Sequence, residues 1–268
     1  MPPEDLPQVV RDVRASTARF LLGLDALRED DVRRPSLLPG WTVGHVLCHV
    51  ARNADGMVRA LDGARRGEPA AMYPRGAEGR AADIEAGAGR RLPEQVEDVR
   101  ASAQRLDDAW RALPAEAWDR DAITRTGTVP AWRTVVGRWS EIELHWVDLD
   151  TGYGPDGWPA AYVDLLLHLT TGRSLGRRLP AGLRLDLVGT DTGQRWSVDG
   201  TGSADGTGSA GGTGSAGSMG NDAGRAGGIV VHGPSWALAC WLAGRTAPVH
   251  AVLKVTDGVD LPELAPWL

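Results

Sequence analysis

The sequence predicts an α+β chain, with a four-helix bundle over residues 1–152 and a small α+β unit over 153–268. Two observations predict it. Before Gly152, four stretches repeat apolar residues at spacings of three and four, the period of an amphipathic helix. After Gly152 the period shortens to two in several short stretches, as in strands with one buried face. Hydrophobic residues make up 42% of the 268 positions, so both parts have the material for a core.

In residues 6–29, Val9, Val13, Phe20, Leu24 and Leu27 share one helical face with charged side chains opposite. Residues 30–41 read as a loop ending in Leu38, Pro39, Gly40 and Trp41. Thr42 has the chemistry of an N-cap and Trp41 stands at the staple position before it, so a second helix runs from there to about Ala64. Residues 65–92 are rich in Arg, Gly, Glu and Pro and read as a long surface loop. Pro93 suits a first helical turn, and Glu94, Glu97 and Asp98 favour its positive end. Val96, Val99, Ala103, Leu106, Trp110 and Leu113 then mark a third helix, which Pro114 ends. The fourth, near 131–151, carries Val135, Trp139, Ile142 and Trp146, with Gly152 as its C-terminal stop. Four helices of this length point to a bundle.

Residues 160–171 again read as helix. Leu183, Leu185 and Leu187 alternate with polar residues, Gly189 to Gly193 form a turn, and Trp196 and Val198 resume the alternation, a β-hairpin. Residues 229–231 form a strand, 235–242 a short helix capped by Ser235, and 252–255 a last strand. Residues 200–228 interrupt this unit with three copies of Gly-Thr-Gly-Ser-Ala, the composition of a flexible, low-complexity insertion. No Gly-Lys-Ser/Thr follows these glycines, so they do not make a phosphate loop.

Composition excludes several roles. A net charge of −6 with no basic block argues against nucleic acid as a partner. The first residues lack a signal pattern, and no apolar run approaches the roughly 20 residues of a membrane span, so the chain reads as soluble, cytoplasmic and free of membrane. A bundle and a small domain that cover each other read as a monomer. Cys48 and Cys240 sit in apolar helical patterns without CxxC spacing, so they read as buried thiols outside any disulfide or zinc site.

The chemistry is concentrated in two segments. His45 and His49 lie four apart in one, Glu141 and His145 four apart in the other. On a helix that spacing stacks two side chains on one face, and His with Glu suits Zn²⁺ or a similar divalent ion. Glu141 and His145 with one histidine of the second helix make a His₂Glu set that leaves a coordination position for an exogenous ligand. His45 and His49 compete for that place. His49 lies deeper in an apolar run, while His45, in the first turn, suits a supporting place or the mouth of the site. Glu143 points away from Glu141. Arg52, Trp139 and Trp146 are neighbours in sequence that could line a cofactor site.

The segment from Leu38 to Asp55, containing Leu-Pro-Gly-Trp-Thr-Val-Gly-His-Val-Leu-Cys-His, resembles the opening motif of the mycothiol-dependent maleylpyruvate isomerase family. These are DinB-like metal-binding four-helix bundles with a small C-terminal domain. Residues 141–149, Glu-Ile-Glu-Leu-His-Trp-Val-Asp-Leu, resemble its second metal segment, and residues 233–245 its C-terminal motif. The resemblance implies His49, Glu141 and His145 as metal ligands, zinc as the ion, and Arg245 as a catalytic residue. It implies mycothiol as a low-molecular-weight thiol cofactor and a small electrophilic substrate, with isomerisation of maleylpyruvate to fumarylpyruvate as the reaction. A thiol S-transferase or thiol-exchange enzyme would use the same triad, and a non-catalytic binding or regulatory domain would use it structurally. His45 and Asp148 are further candidates for orienting ligands or moving protons.

Overall fold

The computed structural model describes residues 4–202, 228–256 and 260–264. The centre of the Gly-Thr-Gly-Ser-Ala insertion, 203–227, lies outside the described residues. The chain divides into two compact units, Met1–Gly154 and Pro155–Leu268. Among the described residues no helix is long and apolar enough to cross a membrane.

The first unit runs α1 (Leu6–Gly23), α2 (Val43–Arg66), α3 (Gly76–Ala88), α4 (Leu92–Arg111), a hairpin of β1 (Asp121–Thr124) and β2 (Gly127–Pro130), and α5 (Arg133–Asp148). Helix α2 packs on α4 and α5, and α1 closes the ring against both. That ring is the four-helix bundle. Its core joins Phe20, Leu24, Val43, Val46, Leu47, Val50, Val99, Ile142 and Leu149, the apolar stripes of all four helices.

The predicted surface loop over 65–92 is corrected: it contains α3, which packs on α2. The helix has no apolar stripe to betray it. Close approach of small residues replaces the stripe. A Cβ on Gly44 would strike the Ala88 carbonyl oxygen, and one on Gly87 would strike Cys48 Sγ. The hairpin between α4 and α5 is also unannounced by apolar alternation. It is tied back by Met72 N–H donating to the Ile123 carbonyl at 2.9 Å.

Two helix ends differ from expectation. Helix α1 stops at Gly23 and continues as a 3₁₀ turn, Leu24–Ala26, and on it Val9 is only half-buried while Val13 and Phe20 are fully buried. Helix α5 ends at Asp148, four residues before Gly152, and Asp150 takes the left-handed conformation with φ 53°. Asp tolerates that region better than most residues, so no glycine is needed at the stop. Thr42 does cap α2: its Oγ1 accepts the His45 N–H, and His45 Nδ1 accepts the Thr42 N–H at 3.2 Å.

The second unit comprises α6 (Ala160–Leu169), a kinked passage through Gly172 into α7 (Leu175–Arg178), strands β3 (Arg184–Gly189), β4 (Arg195–Asp199) and β5 (Ile229–Gly233), helix α8 (Ser235–Leu242) and β6 (Lys254–Val255). The sheet order is β4-β3-β5-β6, with β3 and β5 parallel and the outer pairs antiparallel. Helix α8 packs on α6 and β3, and its Leu238, Trp241 and Leu242 are buried. Ser235 does not cap α8 but is its first residue. The cap comes from the β3–β4 turn, where Asp191 Oδ1 accepts Ser235 N–H at 2.9 Å and its hydroxyl at 2.7 Å. The chain is therefore α+β, a helical bundle followed by a smaller mixed unit.

Candidate metal centre

Three of the four spaced residues converge. His49 on α2 meets Glu141 and His145 on α5. His49 Nε2 lies 3.0 Å from Glu141 Oε2 and 3.0 Å from His145 Nε2, and His145 Nε2 lies 3.2 Å from Glu141 Oε2. A tetrahedral zinc with bonds of about 2.0–2.1 Å spaces its donors about 3.3–3.4 Å apart, so this triangle needs only slight expansion. Among the described residues this is the only group of three such side chains that close. The donor set and its geometry fit a divalent metal, with two imidazoles and a carboxylate selecting zinc-like ions over calcium.

The surroundings treat the three donors differently. His145 Nδ1 donates to Asp148 Oδ2 at 2.8 Å, which fixes the ring and presents Nε2 to the triad. Burial lowers the His145 pKa, but the bonds to Asp148 and Glu141 outweigh it, and the net shift is upward. Burial raises the Glu141 pKa, yet the two histidines hold it well below the usual carboxylate range. Burial drags His49 down to about 4, against the opposing pull of Glu141, so it is neutral at pH 7. Its Nδ1 faces no carboxylate. Arg80 Nη2 lies 3.0 Å from Nδ1 and 3.5 Å from Nε2, over the ring and not in line with either nitrogen.

A second layer supports the triad. Trp41 packs edge-on to His49 with ring centres 5.5 Å apart. One turn before Glu141, Arg138 is fully buried, and its Nη1 donates to the Val50 carbonyl at 2.9 Å and to Asn53 Oδ1 at 3.0 Å. Burial lowers its pKa to about 10, which leaves it charged at neutral pH.

The other candidates lie elsewhere. His45 belongs to the α2 capping box and its Nε2 meets Glu85 Oε2 at 3.1 Å, so it is not part of the triad. Glu143 turns to the far side of α5, where Arg19 and the Tyr153 hydroxyl donate to it at 2.9 and 2.6 Å. Trp139 is a core residue that donates to Ser16 Oγ, and Trp146 stacks on Tyr153. Arg52 pairs with Asp98 and Asp55 in the wall of a cavity between α2 and α3. In the second unit, Arg245 follows α8, and its Nη1 donates to the Ala243 carbonyl at 3.0 Å. Cys48 and Cys240 are both buried, and neither is in a disulfide. Sequence reasoning missed Arg80, Arg138 and Tyr73, over whose ring the Arg80 guanidinium lies. The first and last lie in the stretch read as a loop, and Arg138 could have been found only from its place one turn before Glu141.

The family model for the mycothiol maleylpyruvate isomerase N-terminal domain matches residues 13–150, which include the whole triad. The chain belongs to this family. The fold agrees beyond that domain. Crystal structures of a mycothiol-dependent maleylpyruvate isomerase and of its histidine-to-alanine mutant each match with a TM-score of 0.81 at 24% identity, over 98% of this chain and 97% of theirs. At that identity the likeness establishes the fold of both units. No curated protein sequence matches the chain.

Proposed function

We propose that the chain is a zinc- and mycothiol-dependent enzyme that converts maleylpyruvate to fumarylpyruvate. The observation that carries the reading is the His49–Glu141–His145 triangle, preformed to within a few tenths of an ångström, inside the family's N-terminal domain. A divalent ion held by three protein ligands supplies a Lewis-acid position at which an exogenous thiol is kept as thiolate. The residues of the chain do the rest. Asp148 fixes the tautomer and ring angle of His145, and Glu141 supplies the anionic donor.

The chemistry balances without a net proton. The thiolate sulfur bonds to one alkene carbon, and the electron pair moves into the conjugated carbonyl as an enolate. Rotation about the new single bond follows. The enolate then re-forms the double bond in the trans geometry and expels the thiolate. Arg245 is proposed as the guanidinium that binds a substrate carboxylate, as its place in the C-terminal motif supports.

The test is conversion of maleylpyruvate by zinc-loaded protein with and without mycothiol. Fumarylpyruvate formed without net loss of thiol supports the isomerase. Inertness toward maleylpyruvate, with thiol adducts formed on another electrophile, replaces it by an S-transferase. Protein that takes up no metal and ignores thiols overturns both.

A further inference from the structure

Arg138 on α5 is 1% exposed. Taking a guanidinium out of water is costly unless all of its donors are met. Here they are met in part. Nη1 donates to the Val50 carbonyl at 2.9 Å and to Asn53 Oδ1 at 3.0 Å, both neutral acceptors on α2. Nη2 has no hydrogen-bond partner among the described residues. The carboxylates of Glu141 and Asp55 act on it through their fields, not through a hydrogen bond. A methionine would fill the same space at lower cost, so stability alone does not account for this arginine.

Its place along the helix does. On α2, Asn53 follows His49 by four residues and shares its face. On α5, Arg138 precedes Glu141 by three and His145 by seven, and shares theirs. The seam between α2 and α5 therefore carries two polar rungs, one turn apart. One joins His49 to Glu141 and His145, the other Asn53 to Arg138. The second rung also grips the main chain, at the carbonyl of the residue next to His49. Apolar packing has no direction and lets two helices slide slightly past each other, whereas a hydrogen bond to a fixed carbonyl does not. The donors of the first rung stand 3.0–3.2 Å apart, against about 3.3–3.4 Å around a tetrahedral zinc. Small shifts of one helix thus decide whether all three reach one ion.

We propose that Arg138 is a positioning residue for the metal centre: by pinning α2 to α5 one turn from the triad, it sets how far His49 stands from Glu141 and His145. The inference rests on the metal reading of the triad. Charge and positioning predict opposite signs here. A guanidinium is a cation beside a cation site, so charge alone makes its removal tighten zinc binding. Positioning makes the same removal weaken it.

The experiment reads two quantities on the full chain, zinc affinity by chelator competition and metal-free stability by denaturant unfolding. Arg138→Met leaves Asn53 Oδ1 buried and unpaired, so it should lower both. Arg138→Met combined with Asn53→Leu removes both partners, so metal-free stability should return to the parent's or exceed it. Zinc binding by this double variant should stay roughly tenfold weaker than the parent's, because the donors are no longer held in register. A merely structural arginine would give back zinc affinity together with stability, and that result overturns the proposal. Tighter or unchanged zinc binding by folded Arg138→Met overturns it as well. So does a double variant no more stable than the single one, which would show that the arginine serves the core. A parent that binds no zinc overturns the metal reading itself, and this inference with it.

Discussion

Replacing Asp148 by asparagine isolates the group that orients one donor of the proposed metal site. Asp148 is fully buried at the end of α5, and its Oδ2 accepts His145 Nδ1–H at 2.8 Å. Asparagine has the same outline and keeps an acceptor oxygen, so the change removes charge and little else. A hydrogen bond to a charged group contributes about 1.5–3 kcal/mol and a neutral one about 1 kcal/mol. The difference, about 0.5–2 kcal/mol, acts on one donor of three and corresponds to roughly a 2- to 30-fold loss of zinc affinity. Two effects oppose each other in metal-free protein. The same bond weakens, but a negative charge at a helix C-terminus costs about 0.3–1 kcal/mol, and that cost disappears. Metal-free stability should therefore change by no more than about 1 kcal/mol, well below the about 3 kcal/mol or more lost when a buried ion pair is broken outright. Chelator competition measures the first quantity and denaturant unfolding of the metal-free variant the second. Unchanged zinc affinity in a folded variant would refute the orienting role. A large loss of metal-free stability would show that Asp148 serves the core instead.

Three further outcomes follow from the packing and the caps. Gly44→Ala drives a methyl into the Ala88 carbonyl and within 2.9 Å of Gln95 Nε2 and Val32 Cγ1, so it should cost about 1–3 kcal/mol by denaturant midpoint; parental stability would contradict the close packing of α3. Asp191→Ala removes the cap of α8 and should cost about 1 kcal/mol. Burial nudges the Asp191 pKa up, but its bonds from Ser235 prevail and hold it below the ordinary value. Its contribution is thus present above the unfolded pKa of about 3.9 and lost as pH falls through the lower folded value, and a pH series comparing parent with variant reads it directly. Burial raises the Cys48 thiol pKa against the opposing pull of Arg90 and Arg52, and Cys240 is fully buried, so iodoacetamide should label neither until denaturant is added. Rapid native labelling of Cys48 would show that the thiol is reached through the cavity it lines.

The legible parts of the sequence were those where one helix face differs from the other. α1, α2, α4 and α5 each carry an apolar stripe, and Thr42 and Pro93 mark two of their starts in local chemistry. The triad was legible for the same reason, because four-residue spacing on a helix is a spatial statement. α3 was not, since its contact with α2 uses absent side chains, Gly44 against Ala88 and Gly87 against Cys48, and absence leaves no periodicity. Arg80 was lost with it. Asp191 shows a second limit: the cap of α8 comes from a turn 44 residues away, so the local rule chose the adjacent serine. The choice between His45 and His49 turned on depth along α2. The first turn binds its own histidine into a cap, and the next turn faces α5.

The close seating of α3 has a consequence for altering this protein by hand. The arginines in the cavity wall set its charge, whereas two missing methyl groups, at positions 44 and 87, set how near its two walls stand. Charge and width are therefore separate dials. A library that randomises Arg59, Arg75 and Arg80 would explore which anions enter while holding the aperture fixed. A graded series of small residues at position 87 would press on Cys48 and Arg90 and spread the walls while leaving Arg59, Arg75 and Arg80 in place. Screening the two libraries apart, then crossing the survivors, would map size selectivity and charge selectivity as independent axes.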